Sequence, residues 1–119
     1  MVVDDEVKMC VTLTKLFELS RYQVEVAHNG LEALEKVESF QPHCILLDIR
    51  MPQMNGLEVL EKVKENHADI PVIMTTAVAM DETREECLEK GAAEYLIKPI
   101  DFKTLLAKVN DLVKSVHNT

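Results

Sequence analysis

Aromatic residues are scarce in this chain. Phe and Tyr make up 4% of its 119 residues and Trp is absent, although the hydrophobic fraction is an ordinary 47%. The core must therefore be aliphatic. Basic residues are also in deficit, 13 Lys and Arg against 21 Asp and Glu, for a net charge of −8. That balance argues against a nucleic-acid surface, which needs clustered Lys and Arg against phosphates, and it is compatible with cation binding. Neither a signal-peptide core nor a membrane-spanning run is present, so no membrane association and a cytoplasmic location are expected. Cysteine pairs are missing too. Cys10, Cys44 and Cys87 are odd in number and far apart, which argues against a zinc site or a disulfide framework. Each lies in an apolar pattern and reads as a small core side chain in a reducing compartment. His28, His43, His67 and His117 are scattered, with no metal-ligand spacing. Linkers, repeats and low-complexity tracts are absent. At 13.5 kDa the chain reads as one domain, 1–119, with no room for an effector domain.

What is present is a regular alternation. Met1 to Val3 is an apolar strand that exits into Asp4-Asp5-Glu6, and Val7 to Leu19 carries apolar residues at helical spacing. Tyr22 to Ala27 alternates polar and apolar, which predicts a half-exposed edge strand. Asn29-Gly30 is a hairpin signal in isolation, yet Leu31, Leu34 and Val37 come after it at helical period, so it predicts a helix entry. Pro42 ends that helix. His43 to Leu47 is a short strand whose apolar run, Cys44 to Leu47, leads into Asp48 and predicts burial on both faces, and Met51-Pro52 and Asn55-Gly56 punctuate the stretch after it. Leu57, Leu60 and Val63 mark a third helix, and Val72 to Thr76 a fourth strand ending in hydroxyls. Asp81 to Lys90 is a charged helix, most simply a solvated face, closed by Gly91. Glu94 to Ile97 is a fifth strand running into Lys98-Pro99, and an amphipathic helix from Phe102 to Val113 comes last. Five strands alternating with five helices predict an α/β fold, a parallel sheet covered on both faces.

In such sheets ligands bind at the carboxyl ends of the strands. The first strand delivers Asp4 and Asp5 there, the third Asp48, the fourth Thr75 and Thr76, and the fifth Lys98; the second offers only Ala27 and His28. A lone strand-end aspartate is usually just solvated, but three carboxylates with a hydroxyl and an ammonium are not random strand ends. Two unit charges about 4 Å apart repel by on the order of 4 kcal/mol at an effective dielectric of 20. A hard divalent cation removes that penalty. Mg²⁺ takes one or two carboxylates, waters and phosphate oxygens, whereas a Ca²⁺ cage wants more oxygen ligands and a glycine-punctuated loop. The pattern therefore points to a Mg²⁺ site that expects a phosphoryl partner, with a Thr hydroxyl and Lys98 for the remaining phosphoryl oxygens.

Four stretches, Val2-Val3-Asp4-Asp5-Glu6, Leu46-Leu47-Asp48-Ile49-Arg50-Met51-Pro52, Thr75-Thr76-Ala77 and Tyr95-Leu96-Ile97-Lys98-Pro99, resemble the motifs of bacterial response-regulator receiver domains in order and spacing. The resemblance covers the whole chain and implies a flavodoxin-like three-layer fold with a five-stranded parallel sheet of order 2-1-3-4-5. It implies Asp48 as phosphoacceptor, Asp4 and Asp5 with Asp48 and the Arg50 backbone carbonyl as Mg²⁺ ligands, and Lys98 as the phosphoryl-contacting lysine. Thr76 matches the switch hydroxyl; Thr75 is its rival, and Ala77 together with the spacing to Lys98 favours Thr76. Tyr95, by spacing an ordinary strand residue, matches the aromatic that turns inward on activation, and the bond to Pro99 one that is cis in the family. The implied partners are a sensor histidine kinase or phosphotransfer protein, a downstream effector domain or protein, and a second copy on phosphorylation. The implied role is signalling through a face built from the fourth helix, fifth strand and fifth helix, with no enzyme activity beyond the domain's own phosphorylation and dephosphorylation.

Two departures stand out. Met1 alone precedes Val2-Val3, where members have a couple more residues in this strand. Arg50 and Val78 occupy the positions two beyond the phosphoacceptor and the switch Thr, which tune phosphoryl lifetime in the family. Three competing readings fit less well. Phosphatases of the haloacid dehalogenase type need a second Asp where Arg50 stands. A flavodoxin needs a hydroxyl-rich phosphate loop where Asp4-Asp5-Glu6 would repel an anion. An interaction module that works without phosphorylation would not require the full set of site residues.

Overall fold

The computed structural model describes residues 1–51, 54–77 and 81–117, the side chains at 81 and 115–117 excepted. The elements run β1 (Val2–Val3), α1 (Val7–Leu19), β2 (Val26–Ala27), α2 (Gly30–Phe40), β3 (Ile45–Asp48), α3 (Gly56–Asn66), β4 (Val72–Thr76), α4 (Asp81–Glu89), β5 (Glu94–Ile97) and α5 (Phe102–His117). All strand pairs are parallel and the sheet order is β2-β1-β3-β4-β5, the flavodoxin-like order. Side chains alternate across the sheet with period two. Val2, Cys44, Leu46 and Ile73 pack against Cys10, Leu13 and Phe17 of α1 and Leu105 and Val109 of α5. Val3, Ile45, Leu47, Val72 and Met74 pack on the other face against α2, α3 and Cys87 of α4.

The helix entries follow the local chemistry of the chain. Asn29 caps α2 by accepting from the Glu32 N–H at 2.9 Å, and Asn55 caps α3 by accepting from the Glu58 N–H at 3.0 Å. Asn29-Gly30 is thus a helix start and not a hairpin. Gly91, with φ of 104°, closes α4 through paired bonds, Gly91 N–H to the Leu88 carbonyl and Ala92 N–H to the Cys87 carbonyl. Before Pro42, Gln41 ends α2 in the left-handed region with φ of 51°. All three cysteines are free and buried, two in one layer's core and one bridging α4 to the sheet.

The second strand is shorter than its alternation predicts. Only Val26 and Ala27 pair, opposite Val2 and Val3, because β1 itself contributes only those two residues to the ladder. Tyr22 is drawn elsewhere. Its N–H donates to the Phe17 carbonyl at 2.9 Å, its ring meets the Phe17 ring edge-on, and its hydroxyl donates to Asn110 of α5. With Phe102 also edge-on to Phe17, three of the five aromatics sit together under α1 and α5. β3 begins at Ile45, two residues later than the apolar pattern predicts.

Candidate phosphoryl and metal site

Alternation that turns Val2, Leu46 and Leu96 toward α1 and α5 carries Asp4, Asp48 and Lys98 out on that same side of the carboxyl edge. There, ligand atoms of Asp4, Asp5 and Asp48 all lie within 4.8 Å of one another. Among the described residues this is the one such group of three His, Cys, Asp or Glu side chains. Asp4 and Asp48 are buried and Asp5 is exposed, so the cluster has two fixed walls and one open side.

Lys98 completes it from the end of β5. Its Nζ donates to Asp4 Oδ2 at 2.8 Å and lies 3.5 Å from Asp48 Oδ2. Its backbone N–H donates to the Thr76 carbonyl at 2.7 Å, and the Lys98–Pro99 bond is cis. Burial works to lower the Lys98 pKa, and the hydrogen bond to Asp4 with the charges of Asp48, Asp4 and Glu6 outweighs it, so the ammonium titrates above its ordinary range. Burial, and then the neighbouring Asp4 charge, push the Asp48 carboxyl up to about 6, against the pull of Lys98 and of the Arg50 N–H. That N–H points at Asp48 Oδ1 from 3.4 Å, which brings the Arg50 backbone to the site.

The donor set suits a hard divalent cation: three carboxylates on one open-sided cluster, short of the ligand number a Ca²⁺ cage needs. A lysine spanning two of those carboxylates answers the same surplus of negative charge. Replacing Asp5 with Ala is expected to weaken Mg²⁺ binding by more than about tenfold without loss of the fold, since Asp5 is exposed and its charge only adds to the repulsion. A Mg²⁺ titration of that variant matching the parent's would remove Asp5 from the ligand set.

The raised Asp48 carboxyl also has a consequence for stability. Between about pH 4, where an unfolded Asp loses its proton, and about 6, where the folded one does, the native chain holds more protons than the unfolded chain. Stability from this group is therefore greatest below that window and falls as pH rises through it. Without metal, Asp48→Asn should be more stable than the parent at pH 7.5 by about 1–3 kcal/mol, the gap closing toward pH 4. Urea melts across that range measure it, and an Asn variant no more stable at pH 7.5 would contradict a carboxyl raised by burial.

Thr75 lies opposite Asp48 in the ladder, and Thr76 is the last residue of β4; both are buried. Alternation places Thr76 on the face of Met74. Tyr95 pairs with Met74 in register and packs, partly buried, against the core on that face, away from the carboxylates. The structure thus brings together Asp4, Asp5, Asp48, Lys98 and the backbone of Arg50, while alternation assigns Thr76 and Tyr95 to the other face of the sheet. Val78 lies outside the described residues.

Gly56 belongs to the site although its sequence signal reads only as a turn. Its N–H donates to the Ile49 carbonyl at 2.7 Å, and a Cβ there would stand 2.3 Å from the Asp48 carbonyl oxygen. A cavity of about 500 Å³ opens at the opposite, amino edge of the sheet between Tyr22, Phe40, Cys44 and Val113, and holds none of these carboxylates.

A doubly wound parallel sheet with an acidic cluster and a lysine at its carboxyl edge defines an open α/β domain whose ligand site lies at that edge. The family model described as the response regulator receiver domain matches residues 1–110. The chain is 44% identical over 105 residues to the transcriptional regulatory protein ZraR of Klebsiella oxytoca, covering 88% of this chain and 24% of that protein. It is 36% identical over 114 residues to the response regulator MprA of Mycobacterium ulcerans, covering 96% of this chain and 49% of that one. The crystal structure of a CheY-like response regulator receiver domain protein from Methanospirillum hungatei superposes with a TM-score of 0.94 at 31% identity, covering 98% of this chain and 94% of that one. This chain belongs to the response regulator receiver domain family of two-component systems. It spans about a quarter to a half of the curated relatives it matches. Among the described residues, no helix is long and apolar enough to cross a membrane.

Proposed function

We propose that residues 1–119 form one receiver unit that accepts a phosphoryl group on Asp48 from a phosphohistidine of a sensor kinase or phosphotransfer protein. The observation that carries this reading is the pairing of one ammonium with two buried carboxylates inside a three-carboxylate cluster, Lys98 Nζ standing 2.8 Å from Asp4 and 3.5 Å from Asp48. Asp4, Asp5, Asp48 and the Arg50 carbonyl would hold Mg²⁺, which when bound supplies positive charge against the phosphoryl oxygens. A carboxylate oxygen of Asp48 forms the new O–P bond as the N–P bond to the donor imidazole breaks. The imidazole nitrogen keeps the electron pair and is neutralised by a proton. Lys98, whose Nζ already lies 3.5 Å from Asp48 Oδ2, would turn its ammonium to a phosphoryl oxygen. The product is an acyl phosphate on Asp48.

The switch is built into the sheet. Thr76 and Tyr95 lie on the same face, Tyr95 beside Met74 and diagonal to Thr76. A Thr76 hydroxyl drawn toward the new phosphoryl oxygens leaves space on that face, and Tyr95 takes it. The surface of α4, β5 and α5 changes with it, for a downstream effector domain or protein, or a second copy, to read. The domain works in the cytoplasm and carries out only its own phosphorylation and dephosphorylation.

Incubation with acetyl phosphate and Mg²⁺, followed by mass spectrometry, tests the reading. A gain of one phosphoryl group that disappears with chelator supports it. No gain favours a module that works without phosphorylation. The phosphorylated form is expected to be long-lived, because Arg50 carries donors only and cannot take a proton from an attacking water, and Val78 offers no hydrogen bond. The double variant Arg50→Asn, Val78→Glu should lose phosphate about tenfold faster in excess Mg²⁺. Equal decay rates would mean that neither side chain governs the lifetime.

A further inference from the structure

The last rung between β1 and β2 is the bond from the Asp4 N–H to the Ala27 carbonyl, 3.0 Å long. Beyond it the chain leaves the sheet for the Asn29 cap of α2, so the carbonyl of Asp4 extends past the ladder. Asp4 is 3% exposed, too deep for that oxygen to be left to bulk water. Two side chains reach it from separate elements. Cys10 Sγ on α1 donates to it at 3.4 Å, and His28 Nδ1, from the β2–α2 connection, stands 3.2 Å away. The sulfur and the ring nitrogen are 4.0 Å apart, side by side on one acceptor. A carbonyl can only accept, so a hydrogen bond in this contact requires the His28 proton on Nδ1.

Other bonds hold the turn that presents the acidic pair: Asp4 Oδ2 accepts from Lys98 Nζ at 2.8 Å, and the Cys10 N–H donates to the Glu6 carbonyl at 3.2 Å. Glu6, the N-cap of α1, makes no side-chain cap, and the Glu6 N–H donates instead to Asp4 Oδ1 at 2.9 Å. Asp4 therefore anchors the turn through both its carbonyl and its carboxylate, and a rotation of that peptide would redirect Asp4 and Asp5 together.

We propose that His28 is a positioning residue for the acidic pair: its Nδ1–H fixes the Asp4 carbonyl and so sets the direction in which the Asp4 and Asp5 carboxylates leave the turn, with the Cys10 thiol sharing the same oxygen. His28 does not itself touch the metal or the phosphoryl group. The inference rests on reading Asp4 and Asp5 as Mg²⁺ ligands, and outer partners of metal ligands typically carry 10- to 100-fold in affinity.

The test is a calorimetric Mg²⁺ titration of the full chain beside His28→Leu and His28→Asn, with metal-free melting curves for all three. Asn places an N–H where Nδ1 stands in the imidazole. The Leu variant is expected to bind Mg²⁺ about tenfold more weakly, and the Asn variant to bind close to the parent, a rescue that a role in packing alone would not produce. A Leu variant that binds like the parent, or an Asn variant as weak as Leu, overturns the proposal while leaving the metal site standing. A parent chain that binds no Mg²⁺ overturns the metal site and this proposal together. Should His28→Leu fail to fold, the parent decides. Nitrogen-15 spectra of its neutral imidazoles are expected to show His28 protonated on Nδ1, and protonation on Nε2 alone overturns the proposal.

Discussion

Replacing Asp48 with Asn is expected to leave the chain with no phosphoryl label from acetyl phosphate. The amide keeps the size and shape of the carboxylate in a buried position at the end of β3, so the fold survives, but it has no anionic oxygen to attack phosphorus. The two other carboxylates of the cluster are poor substitutes. Asp4 is committed on both oxygens, accepting from Lys98 on Oδ2 and from the Glu6 N–H on Oδ1. Asp5 is exposed, on the open side of the cluster. Asp48 alone has a buried carboxylate within a lysine's reach whose closest partners, Lys98 at 3.5 Å and the Arg50 N–H at 3.4 Å, are long and readily exchanged. Phosphopeptide mapping of parent and variant measures this. Undiminished labelling of Asp48→Asn, on Asp5 or elsewhere, would move the phosphoacceptor to another residue.

Gly56→Ala is expected to cost about 3 kcal/mol or more and to abolish Mg²⁺ binding in whatever fraction still folds. The added Cβ would meet the Asp48 carbonyl oxygen at 2.3 Å, the Ile49 Cα at 2.7 Å and the Asp48 carbonyl carbon at 3.0 Å. All three are backbone atoms of the strand end that carries Asp48, so no side chain can rotate away. Relief comes only by moving α3 off the sheet or Asp48 out of the cluster. Gly30→Ala is the useful contrast. Its Cβ would press on Val59 Cγ2 at 2.8 Å and Met54 Cβ at 2.9 Å, atoms of side chains, and the expected loss is smaller and spares the site. Urea denaturation of the three proteins measures the difference. A Gly56→Ala protein within about 1 kcal/mol of the parent would mean the strand end gives way easily.

Much of this architecture was legible in short stretches. Helical spacing in Val7 to Leu19, the apolar run into Asp48 and the hydroxyls closing Val72 to Thr76 each specify an element and its terminus, because side-chain periodicity is a local property. The Asn caps at 29 and 55 are equally local, an acceptor three residues before the N–H it serves. Tyr22 to Ala27 misled because alternation reports a tendency to pair, while the length of β2 depends on what β1 has to offer and on the pull of Phe17 and Asn110 on Tyr22.

The candidate site divides along the same line. Which residues stand at the carboxyl edge follows from the sequence alone, since each is the residue that ends an apolar run, and charges cannot continue into a sheet buried on both faces. Family resemblance supplied the strand order, which no single run encodes. Only the tertiary structure decided that Lys98 donates to Asp4 at 2.8 Å, 94 residues away, and stands off from Asp48. It alone decided that burial and the neighbouring Asp4 lift the Asp48 carboxyl to about 6. It also placed the Gly56 backbone against the Asp48 carbonyl and brought Cys10 and His28 to one oxygen. Sequence spacing fixes the face a side chain takes on its own element. Distances between elements depend on strand register and on the packing of helices against the sheet, and those follow from the fit of the whole core.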